Sequence, residues 1–463
     1  MFIQQLYTGC LSEAAYYIED SGEAAIIDPI RDIQSYIDLA KERNTSIKYI
    51  FETHFHADFV SGHLELSAKT GAPIVFGPQT ETTYKIQVAE DGQEFMIGRL
   101  KLTVLHTPGH TIESTCYLLL DENGLPHCIF TGDTLFVGDV GRPDLSSGDM
   151  SSEELASMLY HSLQSKIKPL PDHIIVYPAH GPGSSCGKNI GPNAFSTIGE
   201  EKQNNYALTS PDREHFIKAV TDGLGAPPSY FKVNAKINQE GYRNLDEIIS
   251  KGMTKVSAEE LKEWKASDKE LIILDTRRAE EFTEGFIPDA IFIGLEGRFA
   301  EWAGTLLPFD ADILLVTSPG KEEESLVRLA RVGFDRMIGY LEGSFDAWKD
   351  AGGTIDLIIS VDPDEMAMDM PFDDHLVVVD VRKPSEFEEE HVEDALNFPL
   401  DTMRDPVSMA ALGENDNLYV HCGGGYRSVI ASSLMKRQGF HNLRNVAGGM
   451  EKIKGTSVPL ILM

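Results

Sequence analysis

Residues 53–59 read Thr53-His54-Phe55-His56-Ala57-Asp58-Phe59, which places two imidazoles and a carboxylate within five consecutive positions directly beyond the apolar run around Ile47–Phe51. Three metal-competent side chains at the end of a predicted strand set the frame for everything before and after them. Upstream, AAIIDP reads as a strand and DIQSYIDLAKERN as a helix, so strand, helix and strand lead into the cluster. Downstream, LKLTVLHTPGH ends on His110, CIFTGDTLF carries Asp133, and HIIVYPAHG ends near His180. Each donor follows its own apolar run, and ligands at several strand ends suit a site at the edge of packed sheets. Beyond residue 207 the text changes to LTSPDREHFIKAVTDGLGAPPSYF, a terminal helix and then a Gly- and Pro-marked linker, which puts a first domain at 1–250.

The remainder repeats itself at a spacing of about 105 residues, the length of a duplicated domain rather than a solenoid unit. LIILDTR matches LVVVDVR, EEFTEGFIPDAIFI matches SEFEEEHVEDALNF, and DILLVTSPG matches NLYVHCGGG. Strands alternating with helical patterns predict two small α/β domains with mainly parallel sheets, at 255–355 and 362–463. In the second copy a strand ends at Cys422, followed by Gly423, Gly424, Gly425, Tyr426 and Arg427. A glycine-rich turn entering a helix aims several N–H groups at one point, where a thiolate or a persulfide anion would be stabilised. Arg427 would add to that potential and favour the nucleophilic form of Cys422. The first copy has no cysteine. Its matching position falls at or near Ser318, and Glu322, Glu323 and Glu324 stand where the other copy has Tyr-Arg-Ser. That copy reads as a scaffold.

Composition narrows the partners. The 463 residues carry 40 basic and 73 acidic side chains, a formal charge of −33, which repels nucleic acid and anionic membrane surfaces. No run approaches the roughly 20 apolar residues of a membrane span, and the opening residues carry no basic leader, so a cytoplasmic location is expected. Five dispersed cysteines, Cys10, Cys116, Cys128, Cys186 and Cys422, form no C-x-x-C pair and exclude a disulfide framework. Cys10, Cys116 and Cys128 lie in or beside apolar runs and read as small buried hydrophobes. Cys186, in GSSCGKNIG just after His180, is placed near the mouth of the site, either as a thiol that reacts with sulfur substrates or as an inert one.

The ordered donor set over about residues 1–245 resembles the metallo-β-lactamase superfamily, which implies an αββα sandwich. In that superfamily's dinuclear zinc hydrolases the first motif ends in a histidine where this chain has Phe59. A phenyl ring has no lone pair to give a metal, so a second metal would lack one ligand. The text ETHFHADFVSGH and GDTLFVGDVGRPDL is closer to the superfamily's mononuclear iron persulfide dioxygenases. Resemblance to these implies one Fe(II) per chain on His54, His110 and Asp133, two histidines and a carboxylate with positions left open for substrate and O2. His56, Asp58 and His180 would then surround that centre, or, in a zinc enzyme, bind a second metal. Gly141, Arg142 and Asp144 of GRPD read as a loop-locking set.

The sequence Cys-Gly-Gly-Gly-Tyr-Arg resembles the rhodanese active loop, which implies that Cys422 accepts sulfur with Arg427 and the loop 423–426 as its cradle. A cysteine phosphatase loop encloses five residues between Cys and Arg, whereas Cys422 and Arg427 enclose four. The order of domains is similar to bacterial fusions of a persulfide dioxygenase, an inactive rhodanese homology domain and an active rhodanese. The partners so implied are a low-molecular-weight thiol persulfide, O2 and sulfite, in a homo-oligomer, with sulfite taking sulfur from Cys422 to give thiosulfate. Two other classes fit parts of the pattern: a dinuclear zinc thioester hydrolase of glyoxalase II type fused to a sulfur carrier, and a sulfur relay whose metal is structural.

Overall fold

The computed structural model describes residues 1–145, 150–267, 270–413 and 415–462. Its chain forms two compact units, Met1–Leu245 with Ala330–Gly333, and Asp246–Leu329 with Phe334–Met463. No helix among the described residues is long and apolar enough to cross a membrane.

The first unit is built on two six-stranded sheets. One has strands β1 (Phe2–Thr8), β2 (Glu13–Asp20), β3 (Glu23–Ile27), β4 (Ser46–Phe51), β5 (Ile74–Phe76) and β6 (Gln87–Val88) side by side in chain order. Its first three strands are antiparallel and its last four run parallel, because a helix, Gln34–Glu42, crosses back between β3 and β4. The other sheet runs β7 (Glu94–Ile97), β8 (Leu100–His106), β9 (Thr115–Leu120), β10 (Pro126–Gly132), β11 (Ile175–Pro178) and β12 (Ser196–Thr197), antiparallel except for β10 beside β11.

Period-two patterning explains how the sheets meet. In β8, Leu100, Leu102 and Val104 are buried while the residues between them are partly exposed. These pack with Tyr16, Ile18, Phe51, Val75, Tyr117 and Phe130 into one core. β9 is buried on both faces: Tyr117 and Leu119 point into that core, whereas Cys116 and Leu118 pack under the helical layer of Ala156, Leu159, Leu163 and Phe216. The layers are therefore the αββα sandwich expected from the sequence, and the buried thiols of Cys116 and Cys128 are core residues.

The second unit holds two five-stranded parallel sheets that share one plan. The first contains β13 (Lys255–Val256), β14 (Ile272–Asp275), β15 (Ile291–Phe292), β16 (Ile313–Val316) and β17 (Met337–Leu341). The second contains β18 (Ile359–Val361), β19 (Leu376–Asp380), β21 (Leu396–Asn397), β22 (Asn417–His421) and β23 (Leu443–Val446), and β20 (Glu390–Val392) pairs separately with β24 (Leu460–Leu462). Both copies spend an Asp-x-Arg pair in the same way. Arg277 makes paired bonds to buried Asp275 and caps the Gly285 carbonyl; Arg382 does so to Asp380 and the Glu390 carbonyl. The repeat seen as LIILDTR and LVVVDVR is thus a duplicated buried ion pair at a central strand end.

Candidate metal centre and sulfur-carrying loop

The donors converge. The loops after β4, β8, β10 and β11 bring His54, His110 and Asp133 together with one ligand atom each within 4.8 Å of the others, and do the same for His56, Asp58 and His180. All six are buried. His54 Nε2, His110 Nε2 and both Asp133 carboxylate oxygens have no hydrogen-bond partner among the described residues. Buried polar atoms are rarely left unpaired, since each costs about 1–3 kcal/mol. Buried donor atoms that converge on one point form a candidate cation site, and two imidazole nitrogens with a carboxylate suit iron or zinc.

Hydrogen bonds orient three of the rings, those of His54, His110 and His180. His110 Nδ1 donates to the Arg142 carbonyl at 2.8 Å, and His180 Nδ1 to the Ser12 carbonyl at 3.1 Å. A carbonyl can only accept, so both rings carry a proton on Nδ1, which leaves Nε2 as the atom turned to the site for a ligand role. For His54 the argument takes one more step. Thr53 gives its single hydroxyl proton to Asp28 at 2.9 Å, so its oxygen can only accept from His54 Nδ1, 3.0 Å away. Burial, and then the neighbouring His56, His110 and His180, hold His54 well below the usual imidazole pKa, which keeps it neutral and able to ligate.

His56 is placed differently. Its Nε2 lies 3.1 Å from Asp28 and 3.4 Å from Glu52, and although burial works to lower its pKa, these carboxylates raise it well above the ordinary value. Phe59 stacks on the His56 ring at 4.3 Å and is fully buried, so a hydrocarbon face fills the position that resemblance to the hydrolases would give to a ligand. Asp58 lies 3.5 Å from His180, with burial holding its carboxyl above the usual range. The sequence reading overlooked Asp28, Glu52 and Glu13, buried acids beneath the motif. Asp28 and Glu52 each follow an apolar run and Glu13 precedes one, a pattern that strand-end turns also produce.

Gly141 sits where a side chain cannot. A Cβ there would come 2.1 Å from the Asp133 carbonyl and 2.8 Å from His110 Nδ1. Arg142 then clamps the loop through Asp144 at 2.6 and 2.7 Å and the Gly225 carbonyl at 2.6 Å. Cys186 lies with Asp133 and His180, its thiol within reach of both. Burial, then Asp58 and Asp133, push that thiol well above its ordinary pKa, so it rests as a protonated neighbour of the centre.

In the second unit, Cys422 follows β22 and is almost fully buried. The Gly425 N–H donates to its sulfur at 3.1 Å, and the helix Tyr426–Arg437 begins directly after, so a backbone donor and a helix N-terminus address the sulfur together. The Cys422 and Gly423 carbonyls are held from the other side by the Met450 and Glu451 N–H groups. Arg427 is committed to Glu386 by two bonds of 2.7 and 2.8 Å. Its charge therefore reaches the sulfur alongside that of a carboxylate, a partner the sequence did not reveal.

Strand register fixes the equivalence of the two loops to the residue. Asp275 pairs with Val316 and Asp380 with His421, so the position equivalent to Cys422 is Thr317, and Ser318 is one residue beyond it. Gly320 then matches Gly425 and Glu322 matches Arg427. The Gly320 N–H, whose counterpart addresses the sulfur, bonds Glu322 Oε1 at 3.2 Å. Glu322–Glu324 open the helix Glu322–Arg331, where carboxylates complement the dipole.

Residues 8–180 match the family model of the metallo-beta-lactamase superfamily, and residues 257–351 and 363–456 each match that of the rhodanese-like domain. The chain belongs to the metallo-β-lactamase superfamily, in an architecture that fuses a domain homologous to persulfide dioxygenases with two rhodanese-like domains. It is 33% identical over 210 residues to the mitochondrial persulfide dioxygenase of Bos taurus, a match covering 45% of this chain and 74% of that protein. Over 169 residues it is 36% identical to the hydroxyacylglutathione hydrolase of Tolumonas auensis, covering 36% and 60% respectively. A crystal structure of a metallo-beta-lactamase from Staphylococcus aureus subsp. aureus COL superposes with a TM-score of 0.65 at 36% identity, over 74% of this chain and 98% of that one.

Proposed function

We propose that the first unit is a persulfide dioxygenase with one Fe(II) on His54, His110 and Asp133, and that Cys422 of the second unit is a sulfurtransferase nucleophile. The observation that carries the reading is the convergence of two Nε2 atoms and one carboxylate, none with a hydrogen-bond partner among the described residues, beside a position filled by Phe59. Fe(II) held there would supply the one-electron chemistry that lets O2 react with a closed-shell sulfur anion. The protein's own part is to fix the tautomers of His54 and His110 through Thr53 and the Arg142 carbonyl and to bury the site from bulk water. One persulfide, one O2 and one water then balance to one thiol, one sulfite and two protons.

At Cys422 the thiolate attacks the outer sulfur of a persulfide, the donor's sulfur–sulfur bond breaks, and the carrier leaves as a thiolate that takes up a proton. No net oxidation occurs. The anionic persulfide on Cys422 lies against the Gly425 N–H and the helix N-terminus, and sulfite attacks its outer sulfur to release thiosulfate and regenerate the thiolate. Thiol persulfide, O2 and sulfite are the small-molecule partners on this reading, in a cytoplasmic homo-oligomer.

A second reading has its own support. The donors His56, Asp58 and His180 also converge with unpartnered atoms, and a hydroxyacylglutathione hydrolase is among the relatives. It gives a dinuclear zinc thioester hydrolase. Metal analysis with an oxygen electrode decides between them: one iron per chain and persulfide-dependent O2 uptake are expected. Two zincs per chain, thioester hydrolysis and no O2 uptake would overturn the dioxygenase assignment.

A further inference from the structure

Cys422 opens into a cleft of about 1260 Å³ whose lining comes from both repeats. The second repeat supplies the sulfur loop and Lys383; the cysteine-less first repeat supplies Arg278, Phe292, the turn 294–298 and Trp302. The two are bound at the loop itself. Tyr426, the residue after Gly425, donates its hydroxyl to the Gly294 carbonyl at 2.6 Å, and its ring lies so close to Gly297 that a Cβ there would come within 2.3 Å of it. The buried Phe292 N–H also donates to Ser433 of the active-loop helix at 3.0 Å. A scaffold reading of the first repeat is thus too narrow, because its residues wall the nucleophile's cleft.

Size and charge say what that wall is for. Pockets of roughly 300–1,000 Å³ enclose whole organic ligands, so this cleft far exceeds what an inorganic sulfane anion fills. Two of its cations are already fully committed in bidentate pairs, Arg277 to Asp275 and Arg427 to Glu386. Arg278 is not so held: it is 60% exposed, with Glu280 and Glu296 each 3.6 Å away, beyond hydrogen-bond length. Arg298, 48% exposed, pairs with Glu301, which is 15% exposed, so its guanidinium keeps an open side. Solvent-exposed ion pairs are readily exchanged, so a ligand carboxylate can compete for such guanidinium groups. In a chain of net charge −33, an anionic substrate needs local cations of this kind.

We propose that the first repeat forms a carrier subsite, in which Arg278 and Arg298 bind the carboxylates of a low-molecular-weight thiol persulfide while its outer sulfur meets Cys422. The inference rests on the sulfurtransferase reading and adds its specificity. The carrier lies across Trp302 and the 294–297 turn, and after transfer leaves as its thiolate.

The test uses the full-length protein and follows sulfur loading of Cys422 by intact-protein mass spectrometry, at graded concentrations of two donors. Glutathione persulfide has a carboxylate-bearing carrier; 2-mercaptoethanol persulfide has the same reacting sulfurs and an uncharged one. The unmodified protein is expected to reach half-maximal loading at a concentration at least about tenfold lower with the glutathione donor, the effect of one or two charge-assisted hydrogen bonds. Arg278→Ala with Arg298→Ala should bring the two donors level, and Arg278→Lys should restore part of the preference. Equal use of both donors by the unmodified protein, or a preference that survives the double substitution, would overturn the subsite. If neither donor loads Cys422 at all, the sulfurtransferase reading itself has failed, which is a separate result.

Discussion

His110 and Arg142 are joined ring to main chain: the imidazole Nδ1 donates to the arginine's carbonyl oxygen at 2.8 Å, while the arginine's own side chain is locked on Asp144. A proposed ligand on one loop is thereby aimed by the backbone of another. The Gly141 N–H bonds the Asp133 carbonyl at 2.9 Å, so the same short segment positions two of the three proposed ligands.

Gly141→Ala tests that coupling. The added methyl would overlap the Asp133 carbonyl and crowd His110, so both ligands must shift while the sandwich core is untouched. Changes just outside a metal's ligands cost about 10–100-fold in affinity. Metal content after dialysis against a weak chelator should fall accordingly, with the far-ultraviolet circular dichroism unchanged. Full metal retention would show that the loop does not aim the ligands.

Asp28→Asn tests the tautomer argument at His54. As a carboxylate, Asp28 accepts both the Thr53 N–H and the Thr53 hydroxyl, at 2.7 and 2.9 Å. An amide can keep the first bond and reverse the second, donating to the Thr53 oxygen and freeing the hydroxyl to donate to His54 Nδ1. That would favour the ring form protonated on Nε2, which has no lone pair for a metal there. Metal affinity should drop about 10–100-fold, measured by competition with a chromophoric chelator. An unchanged constant would rule this relay out.

The six residues that the structure brings together were legible in the sequence because few residue types can ligate a metal, and these stood at the ends of apolar runs. It revealed the duplicated domain because Asp275 and Asp380 recur at matching strand ends. What it hid were relations between loops distant in the chain. The carbonyls of Arg142 and Ser12 that fix two imidazoles are backbone atoms, which no residue identity encodes. Glu386, which takes up Arg427, is one acid among many in an acidic chain. The runs DILLVTSPG and NLYVHCGGG, laid residue on residue, place Thr317 opposite Cys422, and strand pairing fixes that register without ambiguity.

Cys422→Ser separates the two proposed reactions. Serine at 422 cannot hold a sulfane sulfur, and the two donor clusters of the first unit do not include this residue. Thiosulfate formation should be lost while persulfide-dependent O2 uptake persists, so that sulfite accumulates. Thiosulfate made at the original rate would mean that another thiol carries the sulfur, with Cys186 the first to examine.

Thr317→Cys asks why the first repeat is silent, and the register supplies two obstacles beyond the missing thiol. The Gly320 N–H, equivalent to the donor that meets the Cys422 sulfur, is occupied by the Glu322 carboxylate. Glu322 also stands at the position of Arg427, so the local charge is inverted where a persulfide anion would form. In a Cys422→Ser background, Thr317→Cys alone should load sulfur from glutathione persulfide at under about one hundredth of the Cys422 rate, because the thiol gains neither the backbone donor nor a cation. Adding Glu322→Arg frees that N–H and reverses the charge, and should raise loading at least about tenfold over the single variant, consistent with one recovered charge-assisted contact. Thr317 is nearly fully buried, and cysteine is close to it in size, so the repeat should tolerate the exchange. Robust loading by Thr317→Cys alone would show that the missing thiol was the whole reason for silence. No gain on adding Glu322→Arg would show that Glu322 is not what blocks the cradle.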